Sequence, residues 1–300
     1  MAAPATEHEI RDVNRRYHDV AARDYDAKWG ISFAEVGRAQ VLGKLSKLLG
    51  PAPGPFPRAL EIGAGTGYFS LNLMQAGVVG DAVCTDISPG MLAALEHNAS
   101  ALGLGVQTVA CDAAELPFED ACFDLVLGHA VLHHLPDLPR AFAEFERVLK
   151  PGGTVFFAGE PSRRGDRLAA VPKRAACRVA PLWRRAVRAR PAGNGAAPDD
   201  HTLEGMVDVH AFAPSELERH AAGAGLQHVR VRGEELLANW FGWFNRTLEA
   251  TAEPADIPWP WIQYAYRGYL VLQRVDRRLL EPRLPPRFFY NLMLAACKRA

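Results

Sequence analysis

The stretch Leu60–Gly67, with the sequence LEIGAGTG, constrains the fold of this chain more than any other. An apolar run carries the acid Glu61 near its end, and three glycines follow at alternate positions from Gly63 to Gly67. Glycines this close together are costly in chain entropy, so the backbone needs either left-handed angles or close contact with a ligand. A helix-compatible segment, Tyr68–Gln75, comes next. A strand, a glycine turn and a helix N-terminus in this order predict a nucleotide-type pocket at the carboxyl edge of a parallel sheet.

Segments with strand-like and helix-like character alternate after this stretch. Ser88 is a good N-cap for a helix over 89–97, and Pro151 with two glycines ends another helix over 138–149. Strands are predicted over 81–86, 106–110, 123–128, 154–158, 226–231 and 288–294, and further helices over 31–49 and 214–222. This alternation predicts an α/β fold in which a parallel sheet has helices on both faces.

The composition excludes several classes of protein. A hydrophobic content of 49% over 300 residues is enough for a sizeable core. Lysine and arginine together number 34, as do aspartate and glutamate, so no global charge favours nucleic acid as a partner. Five cysteines without paired spacing suit a reducing compartment. Because neither a signal peptide nor an apolar run of roughly 18 residues is present, we expect a cytoplasmic protein without a membrane span.

A basic segment interrupts the alternation after residue 160. Between Arg163 and Arg190 there are ten basic residues and one acid, and Pro172 and Pro181 predict a division into short helices. Three uses of this segment stay open: binding of an anionic acceptor, a weak contact with acidic lipid headgroups, or a solvated face. A flexible loop is predicted over 191–198.

A second insertion, 233–285, holds four of the six tryptophans together with several tyrosines and phenylalanines. Such a surface suits a large apolar acceptor, because small-molecule pockets are mostly apolar. The same aromatic residues could equally form the core of a helical subdomain or the interface of a homodimer.

Acidic residues at two predicted strand ends narrow the ligand of the pocket. Asp86 ends the second strand, where its carboxylate can accept hydrogen bonds from both hydroxyls of a ribose. Asp112 follows the third strand, where it can either accept from an exocyclic amino group or cap a helix. The pair Gly128-His129 lies at the end of the fourth strand. The loop itself has the spacing E-x-G-x-G-x-G, which differs from the usual G-x-G-x-x-G of dinucleotide sites.

With these motifs in place, the chain resembles the class I S-adenosylmethionine-dependent methyltransferases that act on small molecules. The resemblance covers 55–160 and, less closely, 211–232. Five motifs carry it, namely LEIGAGTG at 60–67, TDIS at 85–88, DAAELPF at 112–118, FDLV at 123–126 and RVLKPGG at 147–153. It implies a Rossmann-like, seven-stranded and mostly parallel sheet with helical lid insertions. It also implies S-adenosylmethionine as the methyl donor and S-adenosylhomocysteine as the product.

The resemblance assigns roles to individual residues. Glu61 and the loop around Gly63 and Gly65 should face the methionine end of the cofactor, and Asp86 should hold the ribose. Ile87 should pack on the adenine, whose edge Asp112 and Ala113 should contact. The complete predicted set of cofactor-binding residues is Glu61, Gly63, Ala64, Gly65, Gly67, Asp86, Ile87, Asp112, Ala113, Gly128 and His129.

Paired histidines, His133 and His134, follow the fourth strand beside the expected position of the transferred methyl group. A histidine there could deprotonate a hydroxyl acceptor at neutral pH, as similar pairs are implicated to do in O-methyltransferases. The alternative is a packing or capping role for one of them. Related sugar enzymes place an aspartate where this chain has Gly159. Glu160 follows directly, on the opposite face of a regular strand. No metal site is predicted from His129 and these histidines, since no ligand stands beside them at helical spacing.

The domain division that follows has six parts. It comprises N-terminal helices covering the cofactor site (1–54), the cofactor-binding core (55–160), a basic lid insertion (161–210), a core helix and strand (211–232), an aromatic helical insertion (233–285) and the last core strand (286–300). The predicted reaction is O-methylation of a small, apolar molecule in natural-product biosynthesis, without nucleic acid. Three alternatives stay open: C- or N-methylation of a small molecule or lipid, methylation of protein or RNA, and a non-catalytic cofactor-binding protein.

Overall fold

A seven-stranded sheet forms the centre of the protein in the computed structural model, which describes residues 6–22, 25–26, 30–192 and 209–300. The strands lie in the order β3-β2-β1-β4-β5-β7-β6. Their bounds are Phe56–Ile62 (β1), Val79–Asp86 (β2), Gln107–Ala110 (β3), Phe123–His129 (β4), Leu149–Pro161 (β5), Gln227–Glu234 (β6) and Asn291–Cys297 (β7). Neighbouring strands are parallel except at β7, which is antiparallel to both β5 and β6. The predicted seven-stranded, mostly parallel sheet is therefore confirmed.

The helices of the described residues lie on both faces and beyond the edge of this sheet. They are Glu7–Ala21 (α1), Glu35–Leu49 (α2), Tyr68–Gln75 (α3), Pro89–Ala101 (α4), Leu138–Val148 (α5), Arg163–Val187 (α6), Pro214–Gly223 (α7), Leu237–Ala250 (α8) and Trp259–Val275 (α9). As predicted, Ser88 caps α4, because its side chain accepts a hydrogen bond from the amide of Met91.

Two apolar layers hold the helices on the sheet. On one face, Phe142 and Phe145 of α5 pack with Leu217 of α7 against the strands. On the other face, Val41 of α2 and Phe69 of α3 pack with further buried side chains of the sheet. Because the central strands are covered on both sides, they are apolar without alternation, as in other buried parallel sheets.

Helix α6 differs from the sequence prediction, since it runs unbroken from Arg163 to Val187 through Pro172 and Pro181. Proline removes one helical hydrogen bond and strains the preceding turn, so the expected result was a break. Packing against α8 compensates for this cost, because the helix buries an apolar face that includes Ala176 and Trp183. Tertiary contacts therefore override the local propensity.

Several predicted boundaries were also wrong. Strand β5 begins at Leu149, so Pro151 and the two glycines that follow it belong to the strand. The amide of Lys298 donates a hydrogen bond to the carbonyl of Gly153 in this part of the strand. Strand β7 begins at Asn291, since a short 3-10 helix occupies Pro286–Phe288. Helix α2 begins at Glu35, four residues after the predicted start. The predicted loop 191–198 lies almost wholly outside the described residues.

None of the described helices is both long and apolar enough to cross a lipid bilayer.

Helix α6 generates a prediction about Pro181, which is exposed in the helix interior. Pro181→Ala should raise the free energy of unfolding by up to about 3 kcal/mol, because it restores a helical amide and removes the ring clash. Chemical denaturation would measure the change. Pro139→Ala is the control, since Pro139 is exposed in the first turn of α5, where the amide has no partner within the helix. Equal effects of the two substitutions would contradict the unbroken helix.

Candidate functional site

The glycine loop after β1 contains three glycines with left-handed backbone angles, and the surroundings of the middle one differ from those of the other two. Gly63 has φ +58°, and a Cβ there would lie 2.3 Å from Val131 Cγ2, so packing excludes a side chain. Gly67 has φ +91° and begins α3, where a Cβ would crowd Leu71. Gly65 has φ +52° but no atom within 4 Å of where its Cβ would be. The middle of the loop therefore faces open space, as a ligand-binding loop requires.

Asp86 connects this loop to the start of α4. Its Oδ2 accepts a hydrogen bond from the amide of Gly65 at 2.9 Å, and its Oδ1 accepts from the amide of Ser88 at 2.9 Å. Burial raises the pKa of Asp86 to about 6, even though both hydrogen bonds favour the charged form. Each carboxylate oxygen can accept a further hydrogen bond, so the predicted contact with ribose hydroxyls fits this position.

Glu61 lies beneath the loop with only 2% of its surface exposed. Its Oε2 accepts a hydrogen bond from the amide of Ser70 at 2.9 Å, so the carboxylate stabilises the first turn of α3. Burial raises the pKa of Glu61 to about 7, and the nearby charge of Asp86 adds to this rise. Next to Gly63, Ala64 is buried, and its amide donates to the carbonyl of Thr85.

Asp112 makes a local backbone contact and an ion pair with α1, while its predicted contact with an exocyclic amino group stays a prediction. Its Oδ1 accepts a hydrogen bond from the amide of Ala114 at 2.9 Å, as a local cap does. Its Oδ2 lies 2.7 Å from Nε of Arg11, a residue of α1. The other two residues of the predicted adenine contact lie on the same edge of the sheet, with Ala113 buried and Ile87 half-buried.

The sequence did not indicate which residues of the N-terminal segment form hydrogen bonds with the pocket. Asp19 of α1 accepts hydrogen bonds from the hydroxyl of Ser88 at 2.5 Å and the amide of Gly90 at 3.0 Å. Asp26 accepts from the hydroxyl of Thr66 in the glycine loop at 2.5 Å. These contacts join residues far apart in the chain and have no local sequence signal.

The end of β4 places Gly128 and His129 in a packed environment. A Cβ on Gly128 would lie 2.7 Å from Val131 Cγ1 and 2.8 Å from Phe157, so packing alone explains this glycine. The imidazole of His129 stacks on Phe69 with 4.8 Å between ring centroids. Burial lowers the pKa of His129 to about 3, with help from the positive charge of Lys44, so the ring is neutral at physiological pH.

His133 forms a buried pair with Glu160. The carboxylate accepts hydrogen bonds from the amides of Val131, Leu132 and His133, and it lies 2.8 Å from Nδ1 of the His133 ring. A carboxylate oxygen accepts hydrogen bonds, so this geometry favours the tautomer of His133 with its proton on Nδ1. Gly159, with φ +79°, makes β5 irregular at this point, so the strand alternation used in the sequence prediction does not apply to Glu160.

His134 lies between His133 and the N-terminal helix. Its ring centroid is 3.9 Å from that of His133 and 5.5 Å from that of His18. The carbonyl of His134 accepts a long hydrogen bond of 3.5 Å from Asn14. Burial lowers the pKa of His18 to about 4, and the charge of His133 contributes. The structure therefore brings both predicted histidines together beneath α1.

A second buried group of charges lies at the carboxyl end of β6. Lys44 and Lys47 of α2 bond to the carboxylate of Glu234, which has no exposed surface. Burial alone would raise the pKa of Glu234, but the two ammonium groups hold it below its usual value. The adjacent Glu235 accepts a hydrogen bond from the hydroxyl of Tyr269 in α9 at 2.7 Å. These residues lie too far apart in the sequence to be linked from it.

The aromatic insertion packs largely against itself and against α6. Phe241 of α8 and Tyr264 of α9 meet edge to face with centroids 5.5 Å apart. Trp183 of α6 and Trp261 of α9 lie 5.1 Å apart. These contacts show a helical subdomain core, while Tyr264 remains 53% exposed. Within the described part of the chain, no group of three or more histidine, cysteine or acidic side chains is arranged to hold a metal ion.

Comparison with known proteins identifies the core of the chain. Residues 60–157 match the family model described as a methyltransferase domain. A malonyl-acyl-carrier-protein O-methyltransferase of Methylococcus capsulatus is 37% identical over 139 residues, which cover 46% of this chain and 48% of that protein. The ubiquinone/menaquinone biosynthesis C-methyltransferase UbiE of Bordetella parapertussis is 35% identical over 149 residues, or 48% of this chain and 55% of that protein. The chain thus spans about half the length of the curated relatives it matches.

Solved structures share the fold. The phosphoethanolamine N-methyltransferase 2 of Haemonchus contortus, solved with S-adenosyl-L-methionine, matches with a TM-score of 0.60, 18% identity, and coverage of 100% of this chain and 61% of that one. The cyclase SpnF matches with a TM-score of 0.52 and 17% identity over 87% of this chain and 80% of its own. The match of residues 60–157 to the methyltransferase domain model agrees with the predicted resemblance over the core of the chain, and the solved structures share its fold.

The different surroundings of Gly63 and Gly65 generate a prediction about the cost of adding a side chain at each. Gly63→Ala should lower the free energy of unfolding by several kcal/mol, because the new methyl group overlaps Val131 in addition to the backbone strain. Gly65→Ala should cost only about 1 kcal/mol, because its Cβ meets open space. Denaturation curves would separate the two. Equal losses of stability would contradict the described loop.

Proposed function

We propose that this chain, whose residues 60–157 belong to the methyltransferase domain family, transfers a methyl group from S-adenosylmethionine to a small molecule. The observation that carries the proposal is the open glycine loop, held by the amide of Gly65 on the carboxylate of Asp86. A backbone without side chains at this point accommodates the close approach of a ligand. The malonyl-acyl-carrier-protein and quinone methyltransferases that match this region support the same chemistry.

The chain's own residues fit such a cofactor. Asp86 and Asp112 offer carboxylates at the ends of neighbouring strands, suited to hydroxyl and amino donors. Glu61 and Asp86 are buried acids near one another, and the positive charge of a sulfonium and an amino group would favour their ionised forms. The cofactor supplies the electrophilic methyl group, so the protein contributes positioning, exclusion of water and removal of a proton.

We infer that the acceptor atom is oxygen and that His133 is the general base. Glu160 orients the ring through Nδ1, so Nε2 is the nitrogen at which the proton of an acceptor hydroxyl would be taken as the methyl group is transferred. In this arrangement a carboxylate orients the histidine base, as in a catalytic triad. His134, between His133 and His18, is better suited to packing under α1.

The acceptor is proposed to be an apolar small molecule. The insertion beyond the carboxyl edge presents aromatic side chains in α8 and α9, which suit an apolar ligand. The relatives and the structural neighbour named above are described as O-, C- and N-methyltransferases, so the oxygen preference depends on the base alone. A role in natural-product biosynthesis, a cytoplasmic location and a homodimer remain predictions.

The raised pKa of Asp86 generates a prediction about cofactor affinity. A raised pKa means that falling pH protonates the carboxylate near pH 6, which removes the acceptor of the ribose hydroxyls. Affinity for S-adenosylhomocysteine, measured by calorimetry, should therefore rise about tenfold between pH 5 and pH 7.5. Asp86→Asn should bind more weakly and lose most of this slope, whereas Asp81→Asn, on the exposed beginning of β2, should leave it intact. A flat profile in the native protein would contradict the assignment.

The pair of His133 and Glu160 generates a prediction about turnover. His133→Ala should lower kcat by about 10²- to 10⁴-fold with cofactor affinity unchanged, since only the base is lost. Production of S-adenosylhomocysteine from phenolic and quinol acceptors would measure it. His134→Ala serves as the control, with a small expected effect. If both substitutions left kcat unchanged at saturating acceptor, a general-base role for either histidine would be excluded.

A further inference from the structure

Helix α6 has one face that is buried against the protein and an opposite face that is exposed. Buried residues recur every three or four positions along the first face, which packs against α8. They are Gly165, Ala169, Pro172, Ala176, Ala180 and Trp183. This spacing is that of a single helical face, so the opposite side of the helix points away from the protein.

The opposite face carries a row of exposed side chains, here called the arginine stripe. Its members again recur every three or four positions, so they lie in one line along the helix. They are Arg164, Arg167, Val171, Arg174, Arg178, Leu182 and Arg185, all of them exposed. From first to last the stripe extends about 32 Å at the usual rise of an α-helix.

No described residue neutralises the charge of the stripe. Among the residues that the structure describes, none of its five arginines forms an ion pair, although Arg164 lies over the ring of Phe288 at 5.3 Å. Between residues 163 and 190 there are ten basic residues and one acid, whereas the whole chain has a net charge of zero. The positive charge is therefore concentrated on one side of the molecule, where it attracts polyanions.

Two aliphatic side chains interrupt the arginines. Val171 and Leu182 are 56% and 67% exposed, and nothing in the described structure covers them. At the end of the same subdomain, Trp259 is 68% exposed, two residues before the Trp261 that packs on Trp183. Helices that lie in a membrane interface combine cationic side chains with apolar ones that enter the acyl boundary, and the exposed side of α6 carries both kinds. Tryptophan is also favoured in that layer.

We propose that the arginine stripe docks this protein on the surface of an anionic lipid bilayer. The arginines would meet the lipid phosphates, while Val171 and Leu182 would enter the boundary between headgroups and acyl chains. A nucleic acid offers phosphates but no apolar layer for the aliphatic side chains. The inference goes beyond the proposed function, because docking requires neither the cofactor nor an acceptor.

The test is co-sedimentation of the full chain with vesicles of phosphatidylcholine alone or with one third phosphatidylglycerol. Binding should be confined to the anionic vesicles and should weaken as salt is raised. Arg174→Gln with Arg178→Gln should weaken binding about 30-fold, given the usual contribution of each basic residue. Leu182→Ser should weaken binding while leaving the salt dependence unchanged.

The control removes two positive charges elsewhere. Arg230→Gln with Arg232→Gln alters exposed residues of the edge strand β6 and should bind as the native protein does. Circular dichroism and thermal unfolding would show that each variant is folded. Absence of binding to anionic vesicles would overturn the proposal, as would equal loss in the two double variants. Binding to a DNA duplex or an acidic carrier protein, with none to vesicles, would also overturn it and assign the stripe to that partner.

Discussion

Val131 is the contact on which the geometry of the site depends, because its side chain occupies the space beside Gly63 in the glycine loop and Gly128 on β4. A Cβ on Gly63 would lie 2.3 Å from one of its methyl groups, and a Cβ on Gly128 would lie 2.7 Å from the other. Its amide also donates to Glu160, which holds His133. Because protein interiors are close-packed and deform little, the glycine loop, the end of β4 and the histidine keep a fixed relation.

Carboxylates surround the glycine loop on several sides. Asp86 binds its central amide, Asp26 binds the hydroxyl of Thr66, and Glu61 lies beneath the start of α3. Burial works against the ionised forms of Glu61 and Asp86, so the site holds acids that are costly to charge. A cationic ligand with several hydrogen-bond donors would offset that cost, which is consistent with the proposed methyl donor.

The sequence was sufficient for features whose signals are local. The glycine spacing, the acid at the end of β2 and the N-cap Ser88 each lie within a few residues of the structure they specify, and the sheet was predicted from their order. Features that join distant segments could not be predicted in this way. Glu160 reaches back about thirty residues to His133, and Lys44 pairs with an acid 190 positions away. The unbroken α6 belongs to the same class, because only its packing against α8 outweighs its prolines.

The antiparallel last strand has a consequence for the order in which the sheet can be completed. Strands β1 to β5 lie within the first 161 residues and pair with one another, so they can assemble while later segments are still being synthesised. The free edge of β5, however, must wait for β7, which begins at Asn291. Until then a buried, apolar strand presents unpaired backbone groups, a known starting point for aggregation. The nascent chain therefore depends on β7, or on a chaperone, to protect the middle of its own sheet.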